Sequence, residues 1–240
     1  MESSAYKAHS FIDLLILISV TVRSSLVNNV GFRAQIRTLE VNVLLQLEKY
    51  DAIIFDMDGT LLDTMPNHVK AWELTAEHFE FPFDRSWLHS LGGMPSNKIA
   101  GQVNKRYGLD LDTQSVANFK MKTFATLPFH GAPIMHTYEV FKQYRGQKPM
   151  AIGTGSQRDS AIKLLTEAGV LEAFDCIVSA TEVTSHKPNP DTFLMAAEKM
   201  GKQASRCVVF EDTKLGLQAA HAAAMDCYLV TETSFEFYPA

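Results

Sequence analysis

Two carboxylates stand two residues apart in Asp56-Met57-Asp58-Gly59-Thr60, directly behind the apolar run Ala52-Ile53-Ile54-Phe55. Acids crowded in this way either share a proton or hold a cation, and a hard oxygen site of this kind suits Mg2+. Gly59 lets the chain bend sharply after them. Further on, Gly153-Thr154-Gly155-Ser156 combines small residues, which let backbone N–H groups approach an anion, with two hydroxyls that can donate to phosphate oxygens. Lys187 lies in His186-Lys187-Pro188-Asn189-Pro190-Asp191, where the prolines fix the backbone and make it a positioned cation. Glu211-Asp212 is a second acid pair. Nucleophile, proton donor, charge neutraliser and metal ligands are what metal-assisted phosphoryl transfer requires.

Each stretch alone has a plainer explanation. Asp and Gly are common turn residues, Gly-Thr-Gly-Ser before a helix can be a capping turn, a lysine is usually solvated, and an acid at a helix start is often only a cap. What sets these four apart is position, because each follows a run that reads as a strand.

The elements that must hold them can be read from the pattern. Residues 52–55 are short, apolar and rich in β-branched and aromatic types, as in a buried strand. Runs at 149–152, 176–179, 207–210 and 226–230 read the same way. They alternate with helical patterns at 134–144, 159–168, 191–200 and 213–224, with Gly169 and Gly201 behind two of them. Strands alternating with helices imply βαβ units and a parallel sheet, and such sheets bind ligands at the carboxyl ends of their strands. Between Pro66 and about residue 129 the pattern is helical only: Val69, Trp72, Leu74, Ala76 and Phe79, then 99–107 closed by Gly108, then 116–127, with Gly92-Gly93 as a loop break. This predicts a small helical bundle inserted after the first strand.

With 240 residues, 46% hydrophobic and 20% charged, the chain can bury one core and a small second unit. Its formal net charge of −5 argues against a general nucleic-acid or anionic-membrane binder. An acidic protein that handles an anion needs a metal or local cations. Cys176, Cys207 and Cys227 form neither a disulfide framework nor a metal-spaced set and read as core thiols of a reduced, cytoplasmic protein. Residues 1–48 differ from the rest. The apolar run 11–20 is too short to span a membrane and contains Asp13. With Lys7 the one basic residue in the first ten, and no small-x-small cleavage pattern, it does not read as a signal peptide. The segment is expected to be an appendage, or upstream sequence read through from a start that lies near Leu44 to Leu47. The intact mass of the native protein distinguishes the two.

In order, Asp56-Met57-Asp58-Gly59-Thr60, Thr154, Lys187-Pro188 and Glu211-Asp212 resemble the four motifs of the haloacid dehalogenase-like hydrolases, over about 48–235. The helical insert resembles the cap of the β-phosphoglucomutase branch. The stretches 151–156, 187–193 and 208–212 resemble the bacterial fructose-1-phosphate phosphatase group of that branch, also described as acting on 6-phosphogluconate. The resemblance implies an α/β fold: a Rossmann-like parallel sheet core (49–64 and 131–235) with an inserted all-helical cap domain (65–130). It implies that Asp56 attacks phosphorus and carries an aspartyl-phosphate, and that Asp58 protonates the leaving alcohol and then activates water. Mg2+ is held by Asp56, the backbone carbonyl of Asp58 and Asp212, with Glu211 as a further ligand or an acid beside them. Thr154 binds the phosphoryl oxygens, and Lys187 bridges nucleophile and phosphate. Gly59, Thr60, Gly155 and Ser156 join the substrate-binding set, as do His68 and Ser96 from the cap and Arg158 beyond the phosphate loop. His68 and Trp72 match the first cap helix of the mutase branch, where the counterpart of His68 positions the general acid and couples it to cap closure. Ser96 departs from the branch, which carries an Arg there to grip a second phosphate. This favours hydrolysis, although Lys98 or Arg158 could take over that grip.

The expectation is a monomeric, Mg2+-dependent phosphatase of a small phosphorylated sugar or related metabolite. It has no nucleic-acid partner and no stable membrane insertion. The alternatives are a β-phosphoglucomutase-like hexose phosphate mutase and a catalytically silent protein that binds a phosphometabolite.

Overall fold

The computed structural model describes residues 47–128 and 131–240. Apart from Leu47 and Glu48, the segment expected to be an appendage lies outside the described residues. Leu47 itself is fully buried, in the short 3-10 turn Leu47–Lys49 that leads into the first strand.

Six strands form one sheet in the order β3-β2-β1-β4-β5-β6. They are β1 (Ala52–Phe55), β2 (Met150–Gly153), β3 (Cys176–Val178), β4 (Cys207–Glu211), β5 (Asp226–Val230) and β6 (Phe235–Tyr238). β1 through β5 pair in parallel, with Ile54 opposite Ala151 on one side and Val209 on the other. β1 is buried at all four positions, as a central parallel strand covered on both faces must be, and this explains its unbroken apolar run. β6 was not foreseen from the sequence. It returns antiparallel to β5 through a short turn tied by Thr231 and Ser234.

Among the described residues, eight α-helices complete the fold: α1 (Met65–His78), α2 (Arg85–Ser90), α3 (Ser96–Tyr107), α4 (Thr113–Thr126), α5 (Met135–Tyr144), α6 (Arg158–Glu167), α7 (Asp191–Lys199) and α8 (Lys214–Ala222). Local chemistry sets their ends. Asp84 and Asp112 accept from the backbone N–H groups of Trp87 and Ser115 at the starts of α2 and α4. Gly108 ends α3 in the left-handed region at φ +65°. Pro190 is the N-cap residue of α7, and Asp191 is its first residue.

The packing among the described residues includes two hydrophobic clusters. One lies between the sheet and α7/α8, around Ile54, Val209, Phe193, Ala196 and Ala219. The other lies among α1–α4, around Trp72, Leu88, Ile99, Val103 and Val116. On the second face of the sheet Phe55 stacks on Phe210 and Phe210 on Tyr228. No helix among the described residues is long and apolar enough to cross a membrane.

Candidate active site

Asp56 is the first residue past β1. Its N–H donates to the carbonyl of Phe210 on β4, which holds the acid at the carboxyl edge of the sheet. It is 3% exposed. Lys187, 2% exposed, donates from Nζ to Asp56 Oδ1 at 2.6 Å and to Glu211 Oε1 at 2.7 Å. The ammonium also sits 4.7 Å from the centre of the Phe193 ring, a cation–π contact. The Lys187–Pro188 peptide is cis. Glu211 Oε2 takes two more hydrogen bonds, from the N–H and hydroxyl of Thr213. Thr60 donates to Asp212 Oδ1 at 3.1 Å. Gly59, at φ +85°, lies so close to Asp212 that a Cβ there would collide with its carboxylate.

Asp56, Glu211 and Asp212 each place an oxygen within 4.8 Å of the others. Burial pushes Asp56 up to about 7; Lys187 opposes this, while Glu211 and Asp58 add to it. Burial, then the charges of Glu211 and Asp56, hold Asp212 well above the ordinary carboxylate range. Three acids facing one lysine are short of positive charge, and they offer all-oxygen donors. This donor set fits a hard divalent cation.

Asp58 points elsewhere. Its Oδ1 accepts from the Thr64 hydroxyl at 2.7 Å and lies 3.1 Å from His68 Nε2. Its Oδ2 accepts from Ser156 at 2.6 Å and from Thr154 at 3.4 Å. Burial alone would raise it, but His68 and the hydroxyls outweigh burial and keep it well below the usual range. His68 Nδ1 is 2.6 Å from the ammonium of Lys120. A lysine ammonium only donates, so Nδ1 carries the lone pair and Nε2–H donates to Asp58. Burial and then Lys120 hold His68 below its ordinary value, against the pull of Asp58. Lys120 is 3% exposed, and burial lowers it to about 8 against the pull of Asp58.

A cavity of about 540 Å3 opens between the sheet edge and the helices. Asp56, Asp58, Thr154, Gly155 and Ser156 line its floor, and His68 and Ser96 its roof. Gly59, Thr60, Lys187, Glu211 and Asp212 stand around Asp56 outside that lining. The loop between α2 and α3 rests on the floor. A Cβ on Gly155 would run into the carbonyl of Gly93, and one on Gly93 would come within 3.3 Å of the Lys187 side chain.

Arg158, expected in the substrate-binding set, does not line this cavity. Its guanidinium turns out of the cavity to Glu182 at 3.0 Å and to the carbonyl of Ile177, because Glu182, fixed by Ser179 and Lys199, offers it a carboxylate. Lys120 was missed. The signal was present: on α4 it occupies the buried stripe of Val116, Ala117 and Phe124, where a lysine is out of place.

Comparison with known proteins places this geometry. The family model "Haloacid dehalogenase-like hydrolase" matches residues 53–230. The chain is 41% identical over 179 residues to the fructose-1-phosphate phosphatase YqaB of Escherichia coli, covering 75% of this chain and 95% of that protein. It is 28% identical to the beta-phosphoglucomutase of Bacillus subtilis, covering 72% and 80%. Among solved structures it is similar to CbbY from Rhodobacter sphaeroides in complex with phosphate, with TM-score 0.66 and 25% identity over 77% of this chain and 88% of that one. The chain belongs to the haloacid dehalogenase-like hydrolases.

Proposed function

We propose that this protein is a Mg2+-dependent phosphatase of small phosphorylated sugars or related metabolites, fructose 1-phosphate among them, working through an aspartyl-phosphate on Asp56. The observation that carries this is the pairing of two acids in one cavity in opposite electrostatic settings. Asp56 is buried against Lys187, and Asp58 is held by hydroxyls and His68. Burial favours a proton on Asp56 over Asp58; the positive charge of a metal held by Asp56 and Asp212, and the negative charge of a phosphate beside Asp58, would reverse that order and give the two acids their separate roles.

Asp56 Oδ attacks phosphorus, and the P–O bond to the sugar breaks as Asp58 gives its proton to the leaving oxygen. An entering phosphate places negative charge beside Asp58 and raises its affinity for that proton. In the second half Asp58 takes a proton from water, whose oxygen attacks the phosphoryl group. Phosphate leaves and Asp56 is restored. Thr154, Gly155 and Ser156 are positioned to hold the phosphoryl oxygens, and Lys187 offsets charge between Asp56 and phosphate. The metal is assigned to Asp56 and Asp212, with Glu211 beside them. When bound, it would supply the positive charge that keeps Asp56 ionised and the phosphoryl group polarised. Residues 65–130 act as the cap and the sheet with α5–α8 as the core. The three free thiols suit a cytoplasmic setting, and the protein is read as a monomer.

The test is phosphate release from a sugar phosphate panel, with and without Mg2+, by wild type and Asp56→Asn. Metal-dependent release should fall by at least about 10³-fold in the variant. Interconversion of a hexose 1-phosphate and 6-phosphate without release would assign it as a mutase, and silence in both assays as a binding protein.

A further inference from the structure

The roof of the cavity is a second recognition surface, and its chemistry is distinct from that of the floor. On α4, Gln114, Ala117, Asn118 and Met121 fall three and four residues apart and line it together. Gln114 Nε2 donates to Asn118 Oδ1 at 2.9 Å. This bond orients the pair and leaves the Asn118 NH2 and the Gln114 carbonyl oxygen for a ligand. Ser96 and Asn97, in the first turn of α3, add further uncharged groups.

Positive charge is scarce among the described residues of this lining. The ammonium of Lys120 is taken by His68 Nδ1 and buried. Arg158 is turned away to Glu182. Lys98 is exposed on the first turn of α3 and outside the lining. Its charge is felt at His186 on the rim, where it adds to burial in lowering that ring's proton affinity. The first turn of α3 contributes the partial charge of a helix N-terminus, about half a unit. Asp159, on the core side of the same cavity, carries a full opposite one.

We propose that the roof selects phosphomonoesters whose far end is an uncharged polyhydroxyl, read by the Gln114–Asn118 amide pair, and discriminates against substrates bearing a second phosphate or a carboxylate. An amide that donates and accepts matches sugar hydroxyls, which do both. A second anion at this exposed pair exchanges water for neutral amide groups and meets no lysine or arginine of the described lining that is not already paired. The inference rests on the phosphatase reading and narrows it, setting 6-phosphogluconate and sugar bisphosphates apart from neutral sugar monophosphates.

Matched substrates test it. Sorbitol 6-phosphate and 6-phosphogluconate are both open chains and differ in a terminal CH2OH against a carboxylate. Fructose 1-phosphate and fructose 1,6-bisphosphate differ in a second phosphate. For the wild-type chain with Mg2+, kcat/KM should favour the neutral member of each pair by about tenfold or more. Asn118→Lys, and separately Gln114→Lys, should narrow that ratio by about tenfold, each adding a cation at the amide position. Ratios near one, or in favour of the anion, overturn the inference and leave the phosphatase reading standing. So does an unchanged preference in both lysine variants. Absence of phosphate release from all four substrates overturns the phosphatase reading, and this inference with it.

Discussion

Lys120 shows how much an individual residue gives up in stability to serve the site. It is an ammonium within the helical cluster, beside the rings of Trp72 and Phe124, with His68 Nδ1 as its close polar partner. Its proton affinity is lowered to about 8 by burial, so the unfolded chain binds that proton more tightly than the folded one. The folded state therefore carries the full penalty below pH 8. The penalty is relieved as pH rises from about 8 towards the ordinary lysine range. Methionine has similar volume and no charge to desolvate. Lys120→Met should unfold at higher denaturant at pH 7, by about 1–3 kcal/mol, and should lose the gain that wild type shows between pH 8 and 10. Turnover should nonetheless fall, because His68 loses the donor that fixes its Nε2–H on Asp58. Denaturation curves at pH 7 and 9.5, read beside kcat, check both parts.

At the scale of the element, α8 fits against the site through a missing side chain. Gly216 lies in the first turns of α8, where its N–H donates to the capping hydroxyl of Thr213. In an exposed helix, Gly to Ala gains roughly 0.5–1 kcal/mol. Here the sign reverses, because a Cβ at Gly216 would overlap the Glu211 carboxyl group. That group is locked by Lys187 and Thr213 and cannot move aside without breaking a buried ion pair. Gly216→Ala should lower stability by about 1–3 kcal/mol and weaken divalent-cation binding by displacing Glu211. Thermal unfolding with and without Mg2+ reads both effects.

At the scale of the whole molecule, the site is complete only where the helical insert meets the sheet. There Gly93 from the insert lies against Gly155 of the phosphate loop, with no room for a Cβ between them. Gly155→Ala, with no positive φ to strain, should fold with near-normal stability, yet prevent the loop from seating. Catalytic groups displaced by about 1 Å can cost on the order of 10²-fold in rate, so kcat/KM should drop by about that factor while the unfolding midpoint moves little. A matching loss of stability would show instead that the contact serves the fold.

The chain announced its parallel strands, its helical insert and the acids, hydroxyls and lysine at the strand ends, because these follow from local periodicity and from turn residues such as Gly108. Position at a strand end was enough to bring Asp56, Thr154 and Glu211 to one edge of the sheet, since parallel strands share a carboxyl end, while the loop after β3 delivers Lys187 to them. Other features depended on contacts between residues far apart in sequence. β6 was partly legible, since Phe235-Glu236-Phe237-Tyr238 alternates aromatic residues favoured in strands, but its antiparallel pairing with β5 depends on a partner that its own four residues do not name. Arg158 stood beside the phosphate loop in sequence, but Glu182, 24 residues on, drew it out of the cavity. Lys120, 52 residues from His68, came to bear on Asp58 through the packing of α4 against α1. Sequence alone thus determined which groups gather at the sheet edge. The tertiary structure decided which charges are paired, buried or turned away, because those depend on distance through space.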